Sequence, residues 1–149
     1  KKIKNIMKIF FTYILLICFF LTTKIYSKEN FFYEAKKLYD KEKFEDSKFL
    51  FQRNIVFNPK HAESYLFLAK IYNFEENEFE EEKNLDTVLL LEPKNEEALY
   101  MLINIKLKRS NYSKVRDLTK SFEVVCLKLC EKIEYINENL KDIEAKNES

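Results

Sequence analysis

From Phe31 to Leu107 the apolar residues recur at steps of three and four, in segments separated by asparagine, proline or charged turns. That period is the signature of amphipathic helices rather than strands. It predicts helices over 29–41, 44–57, 62–74, 78–91 and 96–109, and another starting near Tyr112. Aromatic and β-branched residues are abundant and would favour strands, but they fall at helical spacing, and periodicity outweighs propensity. Pro59 and Pro93 lack an N–H and disfavour helix in the residue before them, so they separate the helical segments cleanly.

Beyond Tyr112 the pattern continues without a proline or glycine. Val115, Leu118, Phe122, Val125, Leu129, Ile133, Ile136, Leu140 and Ile143 follow at steps of three and four, predicting helix to about Ala145. A heptad seam along this stretch is interrupted once, between Val125 and Ile133. Two shapes fit: one helix of ~50 Å at the usual rise, or two pieces bent near Lys120–Glu123. Two roles fit as well, a cap over the last apolar face of a stack and a dimerising coiled coil.

A longer period overlies the helical one. Asn58-Pro59-Lys60 and Glu92-Pro93-Lys94 stand 34 residues apart, each closing one helical pattern and opening the next. Within the first unit Phe31, Ala35 and Leu38 present large, small and large residues on one helix, and Phe44, Ser47, Phe51 and Pro59 complete the second; Glu34 and Asn54 depart from that pattern. Tyr65, Leu68, Ala69, Tyr72, Leu85 and Pro93 repeat it, with Glu81 and Val88 at positions that otherwise take small residues. Leu99, Leu102 and Tyr112 carry it weakly into a third unit, where Ile103, Lys106, Val115 and Thr119 fit poorly. Ala35 and Ala69 let paired antiparallel helices approach closely. Asn77 and Asn111, also 34 apart, sit in the turns between paired helices and are expected to take the left-handed conformation usual for glycine; Lys43 holds the place in the first turn.

These residues at this period resemble the tetratricopeptide family. The resemblance implies an all-α, helical-hairpin solenoid of about three repeats, at 28–61, 62–95 and 96–130, closed by a long C-terminal capping helix and tail at 131–149. It also implies a non-enzymatic protein–protein interaction module. In that family the first helix of each repeat lines the concave surface, which here puts Phe32, Leu66 and Tyr100 in one row, Lys36, Lys70 and Asn104 in a second, and Tyr39, Asn73 and Leu107 in a third. The groove so formed is apolar and basic, suited to a protein or peptide partner through its apolar residues and acidic groups; the other reading has these residues packing on the cap or supporting the superhelix. The family's carboxylate clamp is not reproduced, since Phe32, Lys36, Glu97 and Met101 occupy its places.

Composition narrows the chemistry. Glycine is absent, which excludes phosphate-cradling glycine loops. Lys1, Lys2, Lys4, Lys8 and Lys24 leave 21 of the 26 basic residues against 25 acidic ones beyond residue 27, so no concentrated basic face favours nucleic acid. Those lysines flank Ile9–Leu21, an apolar run of 13 residues that covers about 20 Å of the ~30 Å hydrocarbon core and has the layout of an export leader. Residues 1–27 are therefore expected to be a signal peptide cleaved after Ser27 or a retained membrane anchor, starting at Met7 or upstream; either places the protein outside the cytoplasm, and Cys18 reads as part of the leader core. With an uncleaved anchor the second reading is a membrane-tethered structural protein that oligomerises through its C-terminal helix; with a cleaved leader the chain is expected to be a monomer, with a homodimer as the alternative.

No catalytic, cofactor or metal site is predicted. Cys126 and Cys130 are four apart on a predicted helix, where a disulfide is geometrically poor, and are expected to be small apolar residues at a helix interface. The one histidine, His61, is remote from both, so no metal set assembles. Glu75, Glu76, Glu78, Glu80, Glu81 and Glu82 are expected to form a solvated, mutually repelling turn without the geometry of a calcium loop.

Overall fold

The computed structural model describes residues 30–147, and side chains over 31–141. The expected leader at 1–27, with Met7 and Cys18, lies outside the described residues. Among those described there are seven helices and no strand: α1 (Asn30–Tyr39), α2 (Phe44–Phe57), α3 (Ala62–Phe74), α4 (Glu78–Leu91), α5 (Glu96–Lys108), α6 (Tyr112–Val125) and α7 (Lys132–Asn147). They divide into two compact units, the first ending at Phe57 and the second beginning at Asn58.

The first unit is the hairpin α1–α2. Ala35 is fully buried, and its carbonyl accepts a hydrogen bond of 2.8 Å from the equally buried Ser47 hydroxyl. A small residue on each helix brings the backbones close enough for that bond to cross between them. Aromatic pairs surround it: Phe32 with Phe51 and Phe31 with Phe57, both at 5.7 Å, and Tyr39 with Phe44 at 5.5 Å. Arg53 lies 4.5 Å over the Phe31 ring. Stacked and edge-on pairs of this kind add about 0.5–1.5 kcal/mol each beyond the area they bury.

The second unit stacks hairpins α3–α4 and α5–α6 and adds α7. Leu85, Val88, Leu102, Ile103, Phe122 and Ile136 are buried in one core, with Ile133 and Leu140 packed against it. Ile136 belongs to α7, so the described part of that helix's apolar seam, Ile133, Ile136 and Leu140, faces the core of its own chain.

Three turns share one design. Glu42, Glu76 and Ser110 have φ of 58°, 57° and 55° and recur every 34 residues. The N–H of each reaches back three residues, to Tyr39, Asn73 and Leu107, and the next N–H reaches back five, to Leu38, Tyr72 and Lys106. This double closure ends a helix whose following residue is left-handed, and such a residue is usually glycine. The expectation for Asn77 and Asn111 is therefore corrected. The left-handed residue comes one position earlier, and both asparagines are N-caps with φ near −90°, accepting from Glu80 N and Lys114 N. An amide oxygen satisfies a helix's first free N–H groups better here than it serves in the turn. Lys43 has no side-chain acceptor to offer α2. His61 and Asn95 cap α3 and α5 in the same way.

The C-terminal segment is also corrected. Of the two shapes left open it takes the second, two helices, but the break falls at Cys126–Glu131, a few residues beyond Lys120–Glu123. Cys126 is extended at φ −60°, ψ 137° and ends α6. The interruption of the heptad seam lies at this break.

Candidate functional site

Of the nine predicted groove residues, Phe32, Lys36 and Tyr39 belong to the first unit and the other six to the second. Phe32 and Leu66 are largely buried, 9% and 7% exposed, one packed on Phe51 and the other in the second unit's core, although Leu66 still lines a cleft of about 840 Å³ with Pro93, Glu96, Lys128 and Leu129. A large apolar side chain beside a close helix pair is worth more buried than displayed. Tyr39 is half-buried against Phe44, and Lys36 is exposed. Lys70 is engaged by Glu97 at 2.8 Å and lies 5.0 Å over the Phe67 ring.

Four of the nine do come together. Asn73, Tyr100, Asn104 and Leu107 line a cleft of about 470 Å³ with Lys108 from α5 and Tyr135 and Asn139 from α7. Tyr100 is held by its ring, 6.1 Å from that of Phe122. Asn73 Nδ2 donates to Glu81 Oε1 at 3.0 Å, and Asn139 Nδ2 donates to the Tyr135 carbonyl at 2.7 Å; these bonds orient each amide, which carries a carbonyl acceptor and a second N–H besides. Glu81 is buried, and that burial raises its carboxyl above the usual range despite the bond from Asn73. The cleft thus presents amides, two aromatic faces and one ammonium, and no nucleophile–base pair. Tyr135 and Asn139 escaped the sequence reading because the C-terminal helix was taken as a cap or a dimerising coiled coil, and Lys108 because it lies outside the three predicted rows. The signal was the same period once more: Leu99 and Leu102 recur as Ile133 and Ile136, so α7 takes the place of a fourth repeat's first helix.

The acidic turn is corrected in part, because two of its six carboxylates, Glu78 and Glu82, are met by bases from α5 and the turn that follows it. Arg109 Nε donates to Glu78 at 3.0 Å, and Glu82 is gripped by both Lys106 and Arg109. Burial opposes ionisation of Glu82, but those bonds and charges outweigh it and hold its carboxyl below the usual range. Sequence separations of 24 to 31 residues kept these pairs out of sight. Among the described residues no group of acids, histidine and cysteines is placed to hold a metal ion, and no helix is long and apolar enough to cross a membrane.

The cysteine expectation is overturned too. Cys126 and Cys130 form a disulfide, with Cα atoms 5.3 Å apart. They are not on a regular helix; α6 has ended, and the irregular backbone allows what i,i+4 helical geometry does not. Inside the ring so closed, the N–H groups of Leu127, Lys128 and Leu129 converge on the Glu96 carboxylate at 2.6, 3.0 and 3.3 Å. Those backbone bonds, from Leu127 first, hold the Glu96 carboxyl below its usual range.

No family model and no curated protein sequence matches the chain. Solved structures do. The TPR2B domain of yeast Sti1, in a complex with pHsp70, is 12% identical and superposes with a TM-score of 0.68, covering 77% of this chain and 96% of that one. The Yersinia enterocolitica type III secretion translocator chaperone SycD is 14% identical, with a TM-score of 0.69 over 83% of this chain and 87% of its own. The TPR domain of Aspergillus fumigatus Sgt2 is 10% identical, with a TM-score of 0.67 over 83% of each chain. At these identities the likeness establishes the fold, an all-α, tetratricopeptide-like solenoid of helical hairpins.

Proposed function

We propose that this protein is a non-enzymatic binding module that holds an extended peptide segment of a protein partner in the cleft formed by α3, α5 and α7. The observation that carries the reading is the convergence of Asn73, Tyr100, Asn104 and Leu107 with Tyr135 and Asn139 on one cleft. Asparagine amides match the donors and acceptors of an unpaired peptide backbone, tyrosine rings give broad contact at low entropic cost, and Lys108 meets a carboxylate. Two of the similar structures, the Sti1 domain and SycD, were solved with pHsp70 and with a peptide of the translocator YopD. Leu66 serves as a support of the fold in this reading and Lys70 as a flanking position, while Phe32, Lys36 and Tyr39 belong to the first unit.

Selection from a displayed library of unstructured peptides tests it. Selected peptides are expected to bind at least tenfold more weakly to Asn104→Ala combined with Tyr135→Ala, a variant whose circular dichroism matches the wild type. Failure to select any peptide, or equal binding by the variant, rejects the cleft.

The reading extends to a place outside the cytoplasm. The leader-like residues 1–27 and the Cys126–Cys130 disulfide support it, since structural disulfides persist mainly in oxidising compartments. N-terminal sequencing of the mature protein separates a cleaved leader from a retained anchor. Oligomerisation through α7 is the weaker alternative, because Ile133, Ile136 and Leu140 are already packed against the chain's own core.

A further inference from the structure

The six residues that join α6 to α7 carry two restraints of different kinds. One is covalent, the Cys126–Cys130 bond. The other is the set of three N–H groups that cradle the Glu96 carboxylate from α5. The α3–α4 and α5–α6 turns carry their own capping side chains, Asn77 and Asn111; this link carries none. The N-cap positions His61 and Asn95 recur after 34 residues at Leu129, which has no acceptor. Only backbone bonds, from Lys132 N to Leu129 O and from Ile133 N to Cys130 O, start α7. The disulfide keeps 127–129 curled so that consecutive amides point the same way, and Glu96 rewards that curl.

We propose that the Cys126–Cys130 disulfide is a redox latch on α7, opened by an external dithiol, and that opening it removes the Tyr135–Asn139 wall of the cleft. Cys130 is exposed and is the sulfur open to attack from solvent, whereas Cys126 is half-buried against the core. One thiolate of the dithiol attacks Cys130 Sγ. The Cys126–Cys130 bond breaks, its electron pair leaves on Cys126 Sγ, and that sulfur takes a proton from water. The dithiol's second thiolate then attacks its own sulfur in the mixed disulfide and expels Cys130 as a thiolate. Two electrons pass to the protein, and the reagent becomes a cyclic disulfide. With the ring open, 127–129 relax, Glu96 loses its convergent donors, and α7 is left to the apolar contacts centred on Ile136.

The part that concerns the cleft rests on the peptide-binding reading above, so the test has separate arms. Amide hydrogen exchange is followed on the full chain with and without dithiothreitol, with opening verified by alkylation of both thiols. Reduction is expected to speed exchange over 133–141 at least tenfold while 62–108 stays unchanged. Cys126→Ser with Cys130→Ser is expected to match the reduced protein and to ignore dithiothreitol. Unchanged protection of α7 after verified reduction overturns the latch, and the wild-type arm decides even where the double variant fails to fold. For the cleft, a selected peptide is expected to bind at least fivefold more weakly after reduction. Equal binding with α7 loosened overturns the link between latch and cleft. Faster α7 exchange with no peptide bound in either state supports the latch and refutes the binding reading instead.

Discussion

The turn between α5 and α6 and the link between α6 and α7 both reverse the chain within a few residues, yet they are held by opposite means. In the first, everything is local. Ser110 is left-handed, its N–H and that of Asn111 close back on Leu107 and Lys106, and Asn111 caps the next helix. In the second, no side chain of the link caps a helix: its amides are met by a carboxylate 31 to 33 residues away in sequence, and a sulfur bridge closes it on itself. A turn that carries its own acceptors can be copied from repeat to repeat. A link that borrows them belongs to one place in the fold and depends on that place staying assembled.

The sharpest way to separate the two regions is to remove the anchor of α7. Ile136 is fully buried, and Ile136→Ala is expected to cost about 2–5 kcal/mol by lost burial and an unfilled cavity. The loss should concentrate in α7, with amides over 133–141 losing protection while 62–108 keep theirs. Equal loss across the whole unit would mean that the linked helix is no more separable than the hairpins. A smaller effect tests the local turns. Lys43→Asn supplies the cap that α2 lacks and is expected to raise the urea midpoint by the equivalent of about 1 kcal/mol, mirrored by a loss of about 1 kcal/mol for Asn111→Ala. No gain from Lys43→Asn would show that the three turns are not equivalent despite their shared backbone.

The same contrast explains how much of the molecule was legible. Helix positions followed from apolar spacing and from Pro59 and Pro93, because both act within a few residues. The repeat followed from a fixed period, and Ala35 and Ala69 marked where helices meet. The left-handed position was misplaced by one residue because asparagine suits both a positive φ and an N-cap, and the local sequence does not say which of the two demands prevails. The break at Cys126 left only a faint mark, one irregular step in the seam. What fixes it is the Glu96 carboxylate and a disulfide, and neither is implied by spacing along one helix. Two residues of the apolar groove row are buried for a related reason. Position in a repeat tells which face a residue is on, but the sizes of Phe32 and Leu66 carry them into the core. Asn73, Asn104 and Tyr100 were legible as cleft residues, whereas Tyr135 and Asn139 required α7 to be seen as a further repeat helix.

The smallest expected effect is one of sign, and it sets the link against the α3–α4 hairpin. Hydrogen bonds from Leu127, Lys128 and Leu129 lower the folded pKa of Glu96 below its ordinary value of 4.5. Its contribution to stability is therefore present above about pH 4.5 and is lost as pH falls through the lower folded value. Burial raises the folded pKa of Glu81 above 4.5. Its contribution is present below about pH 4.5 and is lost as pH rises through the higher folded value. Comparing each glutamine variant with wild type by urea midpoint cancels the remaining carboxylates, including Glu82 and Asp86, whose own shifts run in opposite directions. At pH 7, Glu96→Gln is expected to lower the midpoint and Glu81→Gln to raise it, since the substituted amide keeps an oxygen for Asn73 without a buried charge. Both differences should shrink on acidification through pH 4.5, from opposite sides. Differences of the same sign at pH 7 would mean that the amides of the link do not favour a charged Glu96, and the borrowed carboxylate would then be a neighbour of the link rather than its support.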